Sequence, residues 1–83
     1  MKNINYKIYN LHSDLIEGQA FKIFILDQYG PVTLLENFGP TLAVLKNGKI
    51  MIYEDEKKIS CEQEYKEGFL NIADNNCIIN VIS

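Results

Sequence analysis

His12 stands beside Ser13 and Asp14, and these neighbours together supply the side-chain types of a hydrolytic triad. A working triad converges in space from separate elements, with the base held between the nucleophile and the acid. Adjacent positions in one chain segment do not provide that convergence. The sequence therefore offers no nucleophile–base pair, and a small hydrolase is not favoured. We predict a protein without an active site of its own.

The candidate metal ligands are dispersed along the chain. One histidine and two cysteines, Cys61 and Cys77, match no zinc-ligand spacing. The acidic run 54–56 could attract a cation, but no glycine-turned calcium loop surrounds it. The glycines are isolated and form no phosphate-binding motif. We expect no metal and no cofactor, and we interpret the cysteines as reduced core residues.

Length and composition restrict the possible functions further. The chain has 83 residues, of which 47% are hydrophobic and 23% charged, and its net charge is −3. This predicts a single domain, 1–83, with one thin core. Eight lysines without any arginine lack the basic excess that nucleic acid requires. No apolar run approaches the roughly 20 residues that span a bilayer.

The elements that must position any functional side chain are strands. Apolar residues recur with period two along most of the chain, as in Ile4, Tyr6 and Ile8, and this alternation is typical of β-strands. Short apolar runs are separated by turn residues, and no stretch has helical period. The pattern predicts an all-β fold, a small antiparallel β-sandwich of short strands.

Turn signals divide these strands. The segment 27–31 predicts an exposed loop tip, and Phe38-Gly39-Pro40 predicts a second interruption. Asn47-Gly48 lies between two alternating runs and predicts a type I′ hairpin. Residues 58–64, 68–73 and 77–82 are predicted as separate strands, and Gln19 to Leu26 as one interior strand with apolar residues on both sides.

The segment from Glu17 to Ile82 resembles the N-terminal β-sandwich domain of the ε subunit of bacterial F-type ATP synthase. Gly18 to Ile25 keeps the glycine and Lys-Ile pair of the family strand G-x-V-x-K-I-x-V. Residues 36–52 align without a gap with P-G-H-A-P-L-L-T-x-I-K-P-G-x-I-x-I, although Glu-Asn-Phe replaces Pro-Gly-His. Residues 67–81 keep the shape of a third family segment, with Glu67 in place of one glycine.

The resemblance implies a non-catalytic subunit of the central stalk, which bridges the γ subunit and the membrane c-ring and couples ion flow to ATP synthesis. By position, the c-ring contact would comprise Asp27, Gln28, Tyr29, Gly30 and Pro31. The γ-subunit contact would comprise Asn10, Phe38, Thr41 and Ala43. Phe38 could be an exposed anchor or a plug for one end of the sandwich. A γ contact also implies that one face of the sandwich is unusually apolar.

The family's C-terminal helical hairpin, which restrains ATP hydrolysis in most members, has no counterpart in the residues up to Ser83. Either the protein naturally lacks this hairpin, in which case we expect coupling without self-inhibition, or the sequence is one domain of a longer protein. The resemblance also implies a peripheral location on the cytoplasmic face of the bacterial inner membrane, with membrane association only through the complex. The alternative is a free-standing β-sandwich that binds a ligand or peptide, which a concave pocket lined with aromatic residues would support.

Overall fold

A computed structural model describes residues 4–83. These residues form seven strands in one curled sheet of order β2-β1-β7-β6-β5-β3-β4. The strands are β1 (Ile4–Asn10), β2 (Ile16–Ala20), β3 (Lys22–Asp27), β4 (Gly30–Leu34), β5 (Thr41–Tyr53), β6 (Ile59–Ala73) and β7 (Asn76–Ile82). The predicted all-β fold class is confirmed. Neighbouring strands are antiparallel, except that β1 and β7 are parallel.

The two long strands β5 and β6 connect two halves of the sheet. The first half-sheet contains β2, β1, β7, residues 67–73 of β6 and residues 41–46 of β5. The second contains residues 59–65 of β6, residues 48–53 of β5, and the β3–β4 hairpin. β5 passes from one half-sheet to the other at Asn47 and Gly48, and β6 does so at Tyr65. We call this place the bend.

One hydrophobic core joins the two half-sheets. Every strand contributes alternate side chains to it, including Ile8 of β1, Ile25 of β3, Ile50 of β5 and Ile79 of β7, which are fully buried. Burying one such side chain contributes about 1.5–3 kcal/mol. This burial selects the register of strand pairing, since a slip by one residue would turn the buried apolar side chains of a strand toward water.

The predicted hairpin at Asn47-Gly48 is wrong, because β5 continues through both residues. A type I′ turn needs positive φ at both central residues. Of these two residues, only Asn47 has a positive φ, which is 45°. Gly48 is needed for close packing instead, since a Cβ there would collide with the Leu26 carbonyl oxygen and the Tyr65 hydroxyl.

The two separate strands predicted at 58–64 and 68–73 are in fact one strand. β6 pairs with β5 from Ile59 to Ile72, so both strands continue through the bend together. The single strand predicted from Gln19 to Leu26 is in fact two. Ala20 pairs with β1, whereas Lys22 pairs with β5, and the chain turns at Phe21.

Candidate protein-docking surface

The outer side of the first half-sheet carries several exposed apolar side chains, with exposed Lys7, Asn71 and Asn80 among them. Strand register aligns Val44, Phe69, Asn80 and Tyr9 in one row across β5, β6, β7 and β1. The exposed apolar side chains on this side form what we call the apolar face: Tyr9, Leu42, Val44, Phe69, Ile78 and Ile82. Leu42 is 80% exposed, Val44 69% and Phe69 65%. Single exposed apolar residues are ordinary, but a contiguous set on one sheet face is typical of an interaction surface.

A groove of about 600 Å³ lies where this face meets the bend. Tyr9, Val44 and Phe69 of the apolar face line it, together with Tyr29 from the β3–β4 hairpin and Leu11 from the loop after β1. Lys46 and Glu67 also line it, and their charged atoms are 3.3 Å apart. The groove is therefore mainly apolar, with one exposed ion pair in its wall.

The β3–β4 hairpin places the residues predicted to contact the c-ring. Asp27 pairs with Gly30, and Gln28 and Tyr29 form the exposed tip between them. Gly30 has a φ of 135°, a conformation that suits glycine. Tyr29 is 76% exposed, and Pro31 lies exposed on β4 at the edge of the sheet, where its missing amide is tolerated. These residues form the exposed tip that the sequence predicted; their contact with a c-ring stays a prediction.

Asp27 differs from the rest of the tip because its carboxylate is an organised acceptor. Its Oδ1 accepts hydrogen bonds from the Tyr65 hydroxyl at 2.5 Å and the Lys46 amide at 2.7 Å. Its Oδ2 accepts from the Tyr29 amide at 3.1 Å. Partial burial opposes ionisation, but these hydrogen bonds outweigh it and lower the pKa of Asp27. Burial and the Asp27 partner raise the pKa of Tyr65.

The residues predicted to contact the γ subunit lie mostly on the inner side. Asn10 is buried at the end of β1, where its Oδ1 accepts from the His12 amide at 3.0 Å. Phe38 and Ala43 are half-buried and pack against the core. Thr41 is half-buried, and its hydroxyl donates to the Gly39 carbonyl at 2.9 Å. Phe38 is thus a plug for the core, and a γ contact at these positions stays a prediction.

The more exposed neighbours are residues that sequence reasoning missed. Leu42 and Val44 alternate with Thr41 and Ala43 along β5 and point outward. The available signal was a strand with apolar residues on both sides, a pattern that was interpreted, as an interior strand, only for residues 19–26. Phe69, which pairs with Val44, belongs to a strand with the same property.

Within the described residues, the other candidate catalytic and metal-ligating side chains do not form a common site. His12 and its neighbours Ser13 and Asp14 lie exposed in one loop. Burial raises the pKa of the Cys77 thiol to about 12, and burial with nearby Glu62 raises that of Cys61. Residues 4–83 contain no cluster of three potential metal ligands. Within the same range, no helix has the length and apolar character that a membrane crossing needs.

Comparison with known proteins finds similarity in structure only. The sequence matches no protein-family model and no curated protein. The whole chain superposes on 67% of a chain from the Tetrahymena thermophila mitochondrial ATP synthase central stalk and c-ring, with a TM-score of 0.75 and 21% identity. It also superposes on 52% of a chain from the Euglena gracilis mitochondrial ATP synthase OSCP/F1/c-ring assembly, with a TM-score of 0.84 and 17% identity. The chain thus has the fold of a domain found in these assemblies, and spans about half of the Euglena chain.

Proposed function

We propose that this chain is a non-catalytic central-stalk subunit of an F-type ATP synthase, which binds the γ subunit through its apolar face. The apolar face is the observation that carries the proposal. Leu42, Val44 and Phe69 stand in solvent on one side of a sheet, which is the kind of surface that a lasting partner covers. The fold shared with chains of two mitochondrial ATP synthase assemblies supports the choice of partner.

The size of the chain is compatible with such a contact. A stable interface buries about 800 Å² on each partner, which is roughly one sixth of the 5083 Å² accessible surface of this chain. One outer side of the first half-sheet would supply that area. The second half-sheet and the part of its hairpin that lies away from the groove would stay available for another contact.

In this role the hairpin tip 27–31 faces the polar loops of the c-ring. The subunit then couples ion flow to ATP synthesis by transmitting torque between the c-ring and γ, and it performs no chemistry. It is peripheral, on the side of the membrane that carries the catalytic head, and reaches the membrane only through the complex. In a bacterium this side is the cytoplasmic face of the inner membrane.

Co-elution with the γ subunit of the same organism in size-exclusion chromatography tests the proposal. Leu42→Glu places a charge on the apolar face, and burying it without a partner should weaken binding roughly tenfold or more. Leu26→Glu is the matched control, because Leu26 is also exposed but lies on β3 of the second half-sheet. We expect a stoichiometric complex with the wild type and with Leu26→Glu, and none with Leu42→Glu. Equal co-elution of both variants would refute the proposed face.

A free-standing ligand- or peptide-binding module is the second candidate, and the groove favours it. Its volume of about 600 Å³ and the rings of Tyr9, Tyr29 and Phe69 suit a small apolar ligand. Failure of a folded γ subunit to bind, together with saturable binding of an apolar dye that Phe69→Ser abolishes, would favour this function.

A further inference from the structure

The hairpin tip is fastened to the bend by a set of hydrogen bonds. The Gln28 amide donates to the Lys46 carbonyl at 3.0 Å, and the Lys46 amide donates to Asp27 Oδ1 at 2.7 Å. The Asn47 side-chain amide donates to Gln28 Oε1 at 2.7 Å, and the Tyr65 hydroxyl donates to Asp27 Oδ1 at 2.5 Å. Backbone and side chains from β3, β5 and β6 therefore meet at one place.

At the junction where the hairpin meets the bend, the packing leaves no room for a larger side chain at Gly48. Gly48 lies against the Leu26 carbonyl and the Tyr65 hydroxyl so closely that a Cβ would overlap both. Asn47 takes a positive φ of 45°, which asparagine tolerates better than most residues. The hairpin is thus packed on the bend as well as hydrogen-bonded to it.

The same junction adjoins the groove of the proposed docking surface. Lys46 is bonded to Asp27 and also lines the groove, and Val44 precedes it by two residues on β5. Tyr29 is bonded to the other oxygen of Asp27 and stands at the rim of that groove. One carboxylate therefore links two residues, on β5 and on the hairpin tip, that both line the groove.

We propose that Asp27 is a positioning residue, which clamps the hairpin to the bend and so makes Tyr29 and the apolar face one preformed contact surface. Its part in docking rests on the proposed function, whereas the clamp is a property of the free chain. Tyr29 then belongs to the same contact as Phe69, in addition to any contact that the tip makes elsewhere. A preformed surface binds with less loss of conformational entropy.

Both oxygens of Asp27 are required for this clamp. Oδ1 receives the bonds from β5 and β6, and Oδ2 receives the bond from the tip. Asparagine offers one oxygen and one NH₂ group, so Asp27→Asn must set a donor against a donor on one side. This substitution keeps the size of the side chain, and it removes both the negative charge and the two-sided acceptance.

Amide hydrogen exchange of the free chain tests the clamp. In Asp27→Asn we expect exchange to accelerate roughly tenfold or more at whichever of the Tyr29 and Lys46 amides then faces the NH₂ group, because its hydrogen bond to a charged group is lost. The Ile25 amide, in the core of β3, should keep its rate. Asp14→Asn is the matched control, since it removes an equal charge from an exposed loop. Unchanged rates at Tyr29 and Lys46, or acceleration at every amide alike, would overturn the clamp.

A double-mutant cycle of binding to the γ subunit tests the docking role. Tyr29→Ala and Asp27→Asn should each weaken binding, and the double variant should be no weaker than Tyr29→Ala alone, because Asp27 acts through Tyr29. Additive losses would overturn that role. If the wild type binds no γ subunit, the proposed function fails, while the exchange rates still decide the clamp.

Discussion

Replacing Gly48 by alanine tests how tightly the bend is packed. Two effects of opposite sign contribute to the free energy of unfolding. Alanine reduces the freedom of the unfolded chain, which stabilises by about 0.4–1 kcal/mol where the site has room. Here the new Cβ would overlap the Leu26 carbonyl oxygen and the Tyr65 hydroxyl, and the first is a backbone atom held in the sheet. Overpacking of this kind costs about 1–3 kcal/mol.

The steric cost should win, so we expect Gly48→Ala to lower the free energy of unfolding by about 1–2 kcal/mol. For a domain of this size the melting temperature should fall by roughly 4–8 °C for each kcal/mol. Circular dichroism during thermal and urea unfolding measures both quantities.

Gly39→Ala provides the matched control. A Cβ at Gly39 meets no atom within 4 Å, so this variant should be neutral or slightly more stable. If Gly48→Ala were as stable as Gly39→Ala, the close approach of β3, β5 and β6 at the bend would be refuted.

Other expected outcomes concern Phe38, Asp27 and Cys77. Because Phe38 is half-buried against the core, Phe38→Ala should lower the free energy of unfolding by about 2 kcal/mol, less than the full loss of a buried ring, as measured by urea unfolding. The native pKa of Asp27 is lowered, so its contribution to stability is present above the unfolded pKa of about 3.9 and is lost as the pH falls through the native pKa. The stability difference between wild type and Asp27→Asn, measured by urea unfolding from pH 6 to pH 2, should therefore shrink below about pH 4. Burial keeps the Cys77 thiol protonated at pH 8, so in the native protein iodoacetamide should modify it more slowly than half-buried Cys61, and urea should abolish the difference, as followed by mass spectrometry.

Each outcome has a result that would contradict it. Wild-type stability of Phe38→Ala would mean that the ring does not support the core. A stability difference for Asp27→Asn that persists unchanged to pH 2 would mean that the carboxylate is not the stabilising form. Equal native reactivity of Cys77 and Cys61 would mean that β7 opens readily.

Local alternation was enough to identify the strands with one apolar side. The predicted strand 77–82 is observed as β7, one residue longer, with Cys77, Ile79 and Val81 buried as expected. β1 likewise follows its predicted alternation. In such strands the burial of one side decides both the conformation and the register, and the period of the sequence records that side directly.

The Asn-Gly pair shows where local reasoning failed. Its turn propensity is a local property of these two residues, whereas their conformation in the fold also depends on the strands that pack against them. β5 and β6 pair along their whole lengths, and the absence of a Cβ at Gly48 accommodates β3 and Tyr65 instead of a turn. Tertiary packing routinely overrides a preference of this size.

The all-β class, the strands with one buried side and the exposed hairpin tip were predictable from the amino-acid sequence, because each depends on residues close in the chain. The family resemblance also indicated that one face should be apolar. Which residues form that face depends on the three-dimensional fold, since Val44, Phe69 and Tyr9 become neighbours through pairing between distant strands. The junction of Asp27 with Lys46 and Tyr65 was decided in the same way, because partners 19 and 38 residues away meet only when the sheet curls.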